Sequence, residues 1–166
     1  MMYRVCFVCT GNICRSPMAA LVFGALVERA GLAGRVAVDS GGTAGMFAGY
    51  TADTRAIAVL EAAGYPSDHT ARQLRPRWLR TRDLLVALDV GHERFLRRMV
   101  DRHGGGEVAL LRSFDPALPD GSGLGVPDPY TGGQAAFVDC LAMVEPACRG
   151  LLQDVRRRLD QAVAVS

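Results

Sequence analysis

The sequence predicts a doubly wound α/β domain. Three observations carry this reading. Short apolar runs rich in β-formers alternate with stretches of helical periodicity, the first run passes through a tight glycine-containing loop straight into a helix, and no repeat, linker or low-complexity tract interrupts the alternation. A chain of 166 residues can bury one continuous core, so a single domain spanning 1–166 is expected.

Tyr3 to Val8 reads as a strand covered on both faces. From Pro17, the spacing of Met18, Leu21, Val22, Leu26 and Val27 predicts a helix, with Ser16 as N-cap, Pro17 at the first helical position and a stop near Gly31. Val36 to Val38 reads as a second strand and is followed by the glycine-rich stretch Ser40 to Gly49. Asp53 to Ala63 reads as a helix stopped at Gly64. Asp83 to Leu88 is the best central strand, Gly91 to Val100 the next helix and Val108 to Leu111 the last strand. Residues 112–134 then hold five glycines, four prolines and three aspartates without periodicity, and an irregular loop of that length in a compact domain is usually functional. Phe137, Leu141, Val144, Cys148, Leu152, Val155 and Leu159 make a long amphipathic helix with an expected bend near Pro146. The expected architecture is therefore three layers around a mainly parallel four-stranded sheet of the Rossmann or flavodoxin type. In such sheets ligands bind at the carboxyl ends of the strands, where the winding reverses, and loops 9–16 and 112–134 both leave such ends.

Composition narrows the function. All 19 basic residues are arginine, which excludes a Schiff-base lysine or the lysine of a GxxxxGK[ST] nucleotide loop. A net charge of +2 does not announce a nucleic-acid binder, and Arg156-Arg157-Arg158 reads as a solvated face. The arginines between Arg72 and Arg82 read the same way, with a secondary capacity to attract an acidic phosphoprotein. No membrane span or signal peptide is expected, which points to the cytoplasm without excluding export by another route. Five cysteines there imply reduced thiols; Cys6, Cys140 and Cys148 read as core residues. Cys6-x-x-Cys9 lacks the further ligands of a zinc site, so no metal or cofactor is expected. His92 and His103 carry no usable signal.

Chemistry concentrates in Cys9-Thr10-Gly11-Asn12-Ile13-Cys14-Arg15-Ser16. The spacing of Cys9 and Arg15 is unspecific, but its place at a helix N-terminus favours an anion and, beside it, the thiolate form of Cys9. Arg15 offers a planar fork for two phosphate oxygens, and Gly11 permits the turn that aims loop amides at the same point. Ser16 can stabilise the cysteine sulfur, and Asn12 tolerates the left-handed conformation that would lock the loop. An acid is needed to protonate a leaving oxygen and then to activate water. Asp128, stiffened by Pro127 and Pro129, suits that task, with Asp115-Pro116 as rival. Tyr130 could wall a pocket for an aromatic substrate.

These residues resemble a known family. Val5 to Ala19 is similar to the signature of the low-molecular-weight protein tyrosine phosphatases, and Ser40-Gly41-Gly42-Thr43, Asp68 to Leu74 and Val126-Pro127-Asp128-Pro129-Tyr130 resemble its other landmarks in the same order. The resemblance implies Cys9 as nucleophile, Arg15 as phosphate-binding arginine and Asp128 as acid. Thr10 to Ser16 would then cradle the phosphate, while Asn12, Ser16, Ser40 and His69 form a supporting network. It also implies that Cys14 can close a reversible disulfide protecting the nucleophile, against the plain reading of a small buried side chain. The chain departs from the bacterial pattern at the pocket wall. Met46 and Phe47 stand where an aromatic is common, and Thr131 stands where a second tyrosine often follows. Ile13 points to phosphotyrosine, since the phosphoarginine branch has threonine there.

The expected function is thus metal-free hydrolysis of phosphotyrosine and aryl phosphates through a cysteinyl-phosphate. Tyrosine-phosphorylated proteins, a tyrosine kinase or its targets are the expected partners, and oxyanions such as vanadate the expected ligands. Three alternatives remain: a phosphoarginine phosphatase, a thiol-dependent arsenate reductase of similar fold, and a non-catalytic phosphopeptide-binding module. The second needs further cysteines near the loop, and Leu84 to Val100 offers none.

Overall fold

The computed structural model describes residues 1–165. Four parallel strands, β1 (Tyr3–Cys9), β2 (Val36–Gly42), β3 (Leu84–Ala87) and β4 (Glu107–Leu110), lie in the order β2-β1-β3-β4. Five helices surround them: α1 (Arg15–Arg29), α2 (Thr54–Ala62), α3 (Pro76–Leu79), α4 (Val90–His103) and α5 (Gln134–Ala164). Because β1 pairs with β2 on one side and β3 on the other, the winding reverses beside β1, and a crevice opens at its carboxyl end.

Side chains of the two central strands alternate between two cores. Val5, Phe7 and Cys9 join Leu84 and Val86 in one cluster with residues of α1, α2 and α5, whereas Cys6, Val8, Leu85 and Ala87 pack with Leu79 and Leu96 of α3 and α4. This explains why β1 and β3 read as unbroken apolar runs: a parallel strand covered on both faces has no polar side. Phe7 meets Phe23 edge to face at 5.6 Å, joining β1 to α1. Cys6, Cys140 and Cys148 are buried, and burial pushes each thiol upward.

Several boundaries differ from the sequence reading. The helix after the loop starts at Arg15, with Cys14 rather than Ser16 in the N-cap position. Ser16 makes its hydrogen bonds to Cys9 and Asn12 instead, and the first turn still tolerates Pro17 because its missing N–H would have no helical acceptor. β2 continues to Gly42 and carries Ser40 to the site. Short α3 was not anticipated, and residues 111–114 form a 3-10 turn before the long loop. Pro146 lies within α5, which runs on as a helix to either side of it.

Several of the arginines read as solvated prove engaged: Arg158 pairs with Glu107 and Asp154, and Arg80 donates to the His103 carbonyl. Arg72 and Arg82 both pair with Asp39 and lie near the ring of Trp78, with Arg72 4.3 Å and Arg82 5.6 Å from the ring centre. Among the described residues no helix is long and apolar enough to cross a membrane, and no group of three or more His, Cys, Asp or Glu side chains could hold a metal ion.

Candidate active site

The loop leaving β1 is held from outside by its carbonyl oxygens. Those of Cys9 and Thr10 accept from the amides of Thr43 and Ala44, that of Ile13 from Asp53, and that of Cys14 from Met18; the Asn12 carbonyl lies 2.7 Å from His69 Nε2. A trans peptide points its N–H opposite to its C=O, so the amides of residues 10, 11, 13, 14 and 15 are turned inward. The result is a ring of donors around the position an oxyanion would take. Asn12 has φ +58, and its side chain exploits the bend: Nδ2 donates to Ser16 Oγ (2.8 Å) and Ser40 Oγ (2.9 Å), while Oδ1 accepts from the Arg72 amide (3.0 Å). Asn12, Ser16 and Ser40 are buried and His69 is half-buried; burial pushes the His69 ring down in pKa, leaving it neutral at pH 7. A neutral ring donates one proton, here to the Asn12 carbonyl.

Cys9 Sγ lies 2.9 Å from Ser16 Oγ. The Asn12 amide already donates to that oxygen, so the Ser16 hydroxyl proton is available to a thiolate at Cys9. Arg15 is only 5% exposed, and one corner of its guanidinium is tethered: Nη1 donates to Asp89 Oδ2 (2.8 Å) and the Val126 carbonyl (3.0 Å). Nη2 stands 3.7 Å from Asp128 Oδ2. Asp128 is open to solvent, and its Oδ1 accepts the Tyr130 amide (3.1 Å).

A cavity of about 210 Å³ joins these groups, lined by the loop, Asp128, Met46, Phe47 and Tyr130. Phe47 is the inner wall. It packs against Gly11 so closely that a Cβ there would come within 2.8 Å of its ring, and it meets the Tyr130 and Tyr50 rings at 6.1 and 5.9 Å. Met46 is 65% exposed at the mouth. Thr131 is exposed and lies outside the lining. Asp115 is absent from the cavity; its carboxylate accepts the Ala117 amide (2.9 Å), a local turn. Cys14 lines the cavity, and burial, reinforced by Asp53 and Cys9, pushes its thiol up to about 12.

Three contributors escaped the sequence reading. Asp89 caps α4, accepting the His92 amide (3.0 Å), and also holds Arg15; burial works against its charge, but these donors keep its carboxyl below the usual range. His92, buried, reaches Thr10 Oγ1 through Nε2 (2.9 Å), and burial lowers its pKa to about 4. Arg55 spans from Asp53 to the segment after Asp128. An Asp at a strand end before a helical run signals a cap, but nothing in the sequence aims it at Arg15.

The model for the family described as low molecular weight phosphotyrosine protein phosphatase matches residues 4–161. A low molecular weight protein-tyrosine-phosphatase of Streptomyces coelicolor is 54% identical over 99% of this chain and all of its own length. The low molecular weight protein-tyrosine phosphatase A of Mycobacterium tuberculosis is 46% identical over 94% of this chain and 93% of its own. Among solved structures, a protein tyrosine phosphatase from Entamoeba histolytica with Hepes in the active site superposes with TM-score 0.86 at 28% identity, covering 93% of this chain and 97% of that one. A drosophila arginine phosphatase does so with TM-score 0.83 at 26% identity, covering 91% and 96%. An amide-lined loop at the first crossover of a β2-β1-β3-β4 sheet, and relatives matched from end to end, place the chain in the low molecular weight phosphotyrosine protein phosphatase family.

Proposed function

We propose that this chain is a protein-tyrosine phosphatase, with residues 1–166 as its one catalytic domain, and that it works through a phosphocysteine without a metal. The observation that carries the reading is the convergence of a sulfur, a tethered guanidinium, inward-turned amides and a carboxyl on one cavity. Cys9 attacks phosphorus as its thiolate, the bond to the phenolic oxygen breaks, and Asp128 gives that oxygen its proton. The inward-turned amides of the loop between Thr10 and Arg15, with the fork of Arg15, hold the equatorial oxygens throughout. Asp128, now ionised, takes a proton from water as it attacks the phosphocysteine; phosphate leaves, and Ser16 stabilises the returning thiolate. Asn12, Ser40 and His69 keep the loop in its left-handed bend.

The cavity favours an aryl ester. Phe47 and Tyr130 offer ring faces, Met46 a soft apolar lip, and Ile13 an apolar side chain where a phosphorylated guanidinium would want an acceptor. Tyrosine-phosphorylated proteins are accordingly the substrates, and vanadate, as a tetrahedral oxyanion, a competitive ligand. Five free thiols, all buried, suit the reducing cytoplasm. The test is hydrolysis of an aryl phosphate in EDTA by the wild type and by Cys9→Ser, alongside phosphotyrosine, phosphoserine and phosphoarginine peptides. Turnover of aryl phosphate and phosphotyrosine unaffected by EDTA, and abolished in Cys9→Ser with phosphate binding retained, is expected; full activity in Cys9→Ser, or a preference for phosphoarginine, contradicts the reading.

A further inference from the structure

Asp128 belongs to an exposed, proline-flanked segment, yet general acid catalysis requires its carboxyl to meet the leaving oxygen within hydrogen-bond reach. The grip on that segment comes from α2. Asp53 caps the helix, and its carboxylate accepts from the amide of Arg55 (2.9 Å), from Nε (3.0 Å) and from Nη2 (2.9 Å). The guanidinium so fixed donates from Nη2 to the Tyr130 carbonyl (3.0 Å) and from Nη1 to the Gly132 carbonyl (2.7 Å). Its plane also lies near the rings of Phe137 (4.5 Å) and Tyr130 (5.8 Å).

Two backbone contacts extend this clamp to both reacting groups. The Asp53 amide donates to the Ile13 carbonyl of the phosphate loop (2.8 Å), and the Tyr130 amide donates to Asp128 Oδ1 (3.1 Å). One peptide residue, Tyr130, therefore takes Arg55 on its carbonyl and gives its N–H to the acid. We infer that Arg55, held by Asp53, is a positioning residue that fixes the distance between the phosphate loop and the general acid. The inference rests on the reading of Asp128 as that acid. Lysine cannot replace it, because one ammonium cannot span a carboxylate and two carbonyls in a planar fork.

The experiment compares kcat/KM for aryl phosphates whose leaving phenols run from acidic to weakly acidic, in the wild type, Arg55→Met, Arg55→Lys, Asp128→Asn and Arg55→Met/Asp128→Asn. An enzyme that donates a proton depends little on the phenol; one that cannot falls steeply as the phenol becomes a poorer leaving group. Asp128→Asn should show the steep line. Arg55→Met should lose about twofold on the best leaving group and about tenfold or more on the poorest, the scale expected for a misplaced acid. Arg55→Lys should fall between it and the wild type, and the double variant should be no steeper than Asp128→Asn. A steep Asp128→Asn with Arg55 variants parallel to the wild type overturns the role of Arg55 and leaves the acid standing. Asp128→Asn parallel to the wild type removes the acid assignment itself. Arg55→Lys supplies the comparison if Arg55→Met does not fold.

Discussion

Two Asp-Pro pairs stand in the long loop with the same local turn chemistry; the flanking prolines and the family resemblance favour Asp128, and the fold separates the two in space. Asp128 stands 3.7 Å from Arg15, while Asp115 closes a turn with Ala117. Asp128→Ala should therefore slow aryl phosphate turnover by about 10²-fold or more, and Asp115→Ala should leave it within about twofold, read from steady-state rates at pH 6. Equal losses would place the acid elsewhere. Cys14 makes a second prediction at this scale. Its thiol, pushed up to about 12 by burial, stays protonated beside Cys9 and does not compete as nucleophile. If it protects Cys9 by a disulfide, peroxide-treated wild type regains activity on thiol treatment and Cys14→Ser does not, since a sulfenic acid without a partner sulfur oxidises further. Equal recovery would leave Cys14 as packing alone.

Among the elements, the N-terminus of α4 does the most that its sequence does not announce. Asp89 holds Arg15, and His92 ties Thr10 to the same turn, with Nδ1 buried 3.2 Å from Asp89 Oδ1. Burial, with the charge of Arg15, outweighs the opposing charges of Asp89 and Asp128 and holds the His92 pKa at about 4, below the ordinary histidine value of 6.5. The unfolded chain therefore takes up this proton first as pH falls. Stability that is full above pH 6.5 is lost between there and pH 4, by up to about 3 kcal/mol. His92→Gln, which can still bond Thr10, should flatten that decline in urea midpoints; an unchanged pH profile would show that the ring does not titrate in this window. The carboxyl end of β2 illustrates a different constraint. A Cβ at Gly42 would come within 2.6 Å of the Thr10 carbonyl oxygen, so Gly42→Ala should displace the phosphate loop and cost turnover more than stability.

Across the whole molecule, the alternation of buried strands and amphipathic helices was legible because each element repeats one period over its length, and periodicity is local. Asn12, Ser16, Ser40 and His69 were legible through family resemblance, and the structure gathers the other three, from α1, β2 and the segment after α2, around Asn12. Asp89, His92 and Arg55 were not, because their partners lie 74, 82 and 75 positions away and only the topology brings them together. The doubling of Arg72 and Arg82 on Asp39 escaped for the same reason, since charge runs look solvated until a sheet edge supplies the counter-ion. What the fold accomplishes as a unit is to bring two loops that follow different strands, β1 and β4, to one cavity. The most direct measurement traps that event: Asp128→Asn, able to accept phosphate from an activated aryl ester but slow to release it, is quenched in acid and its peptides are mapped by mass. A single phosphoryl group on Cys9 is predicted; a phosphoryl group on any other residue, or turnover with none on Cys9, would contradict the account.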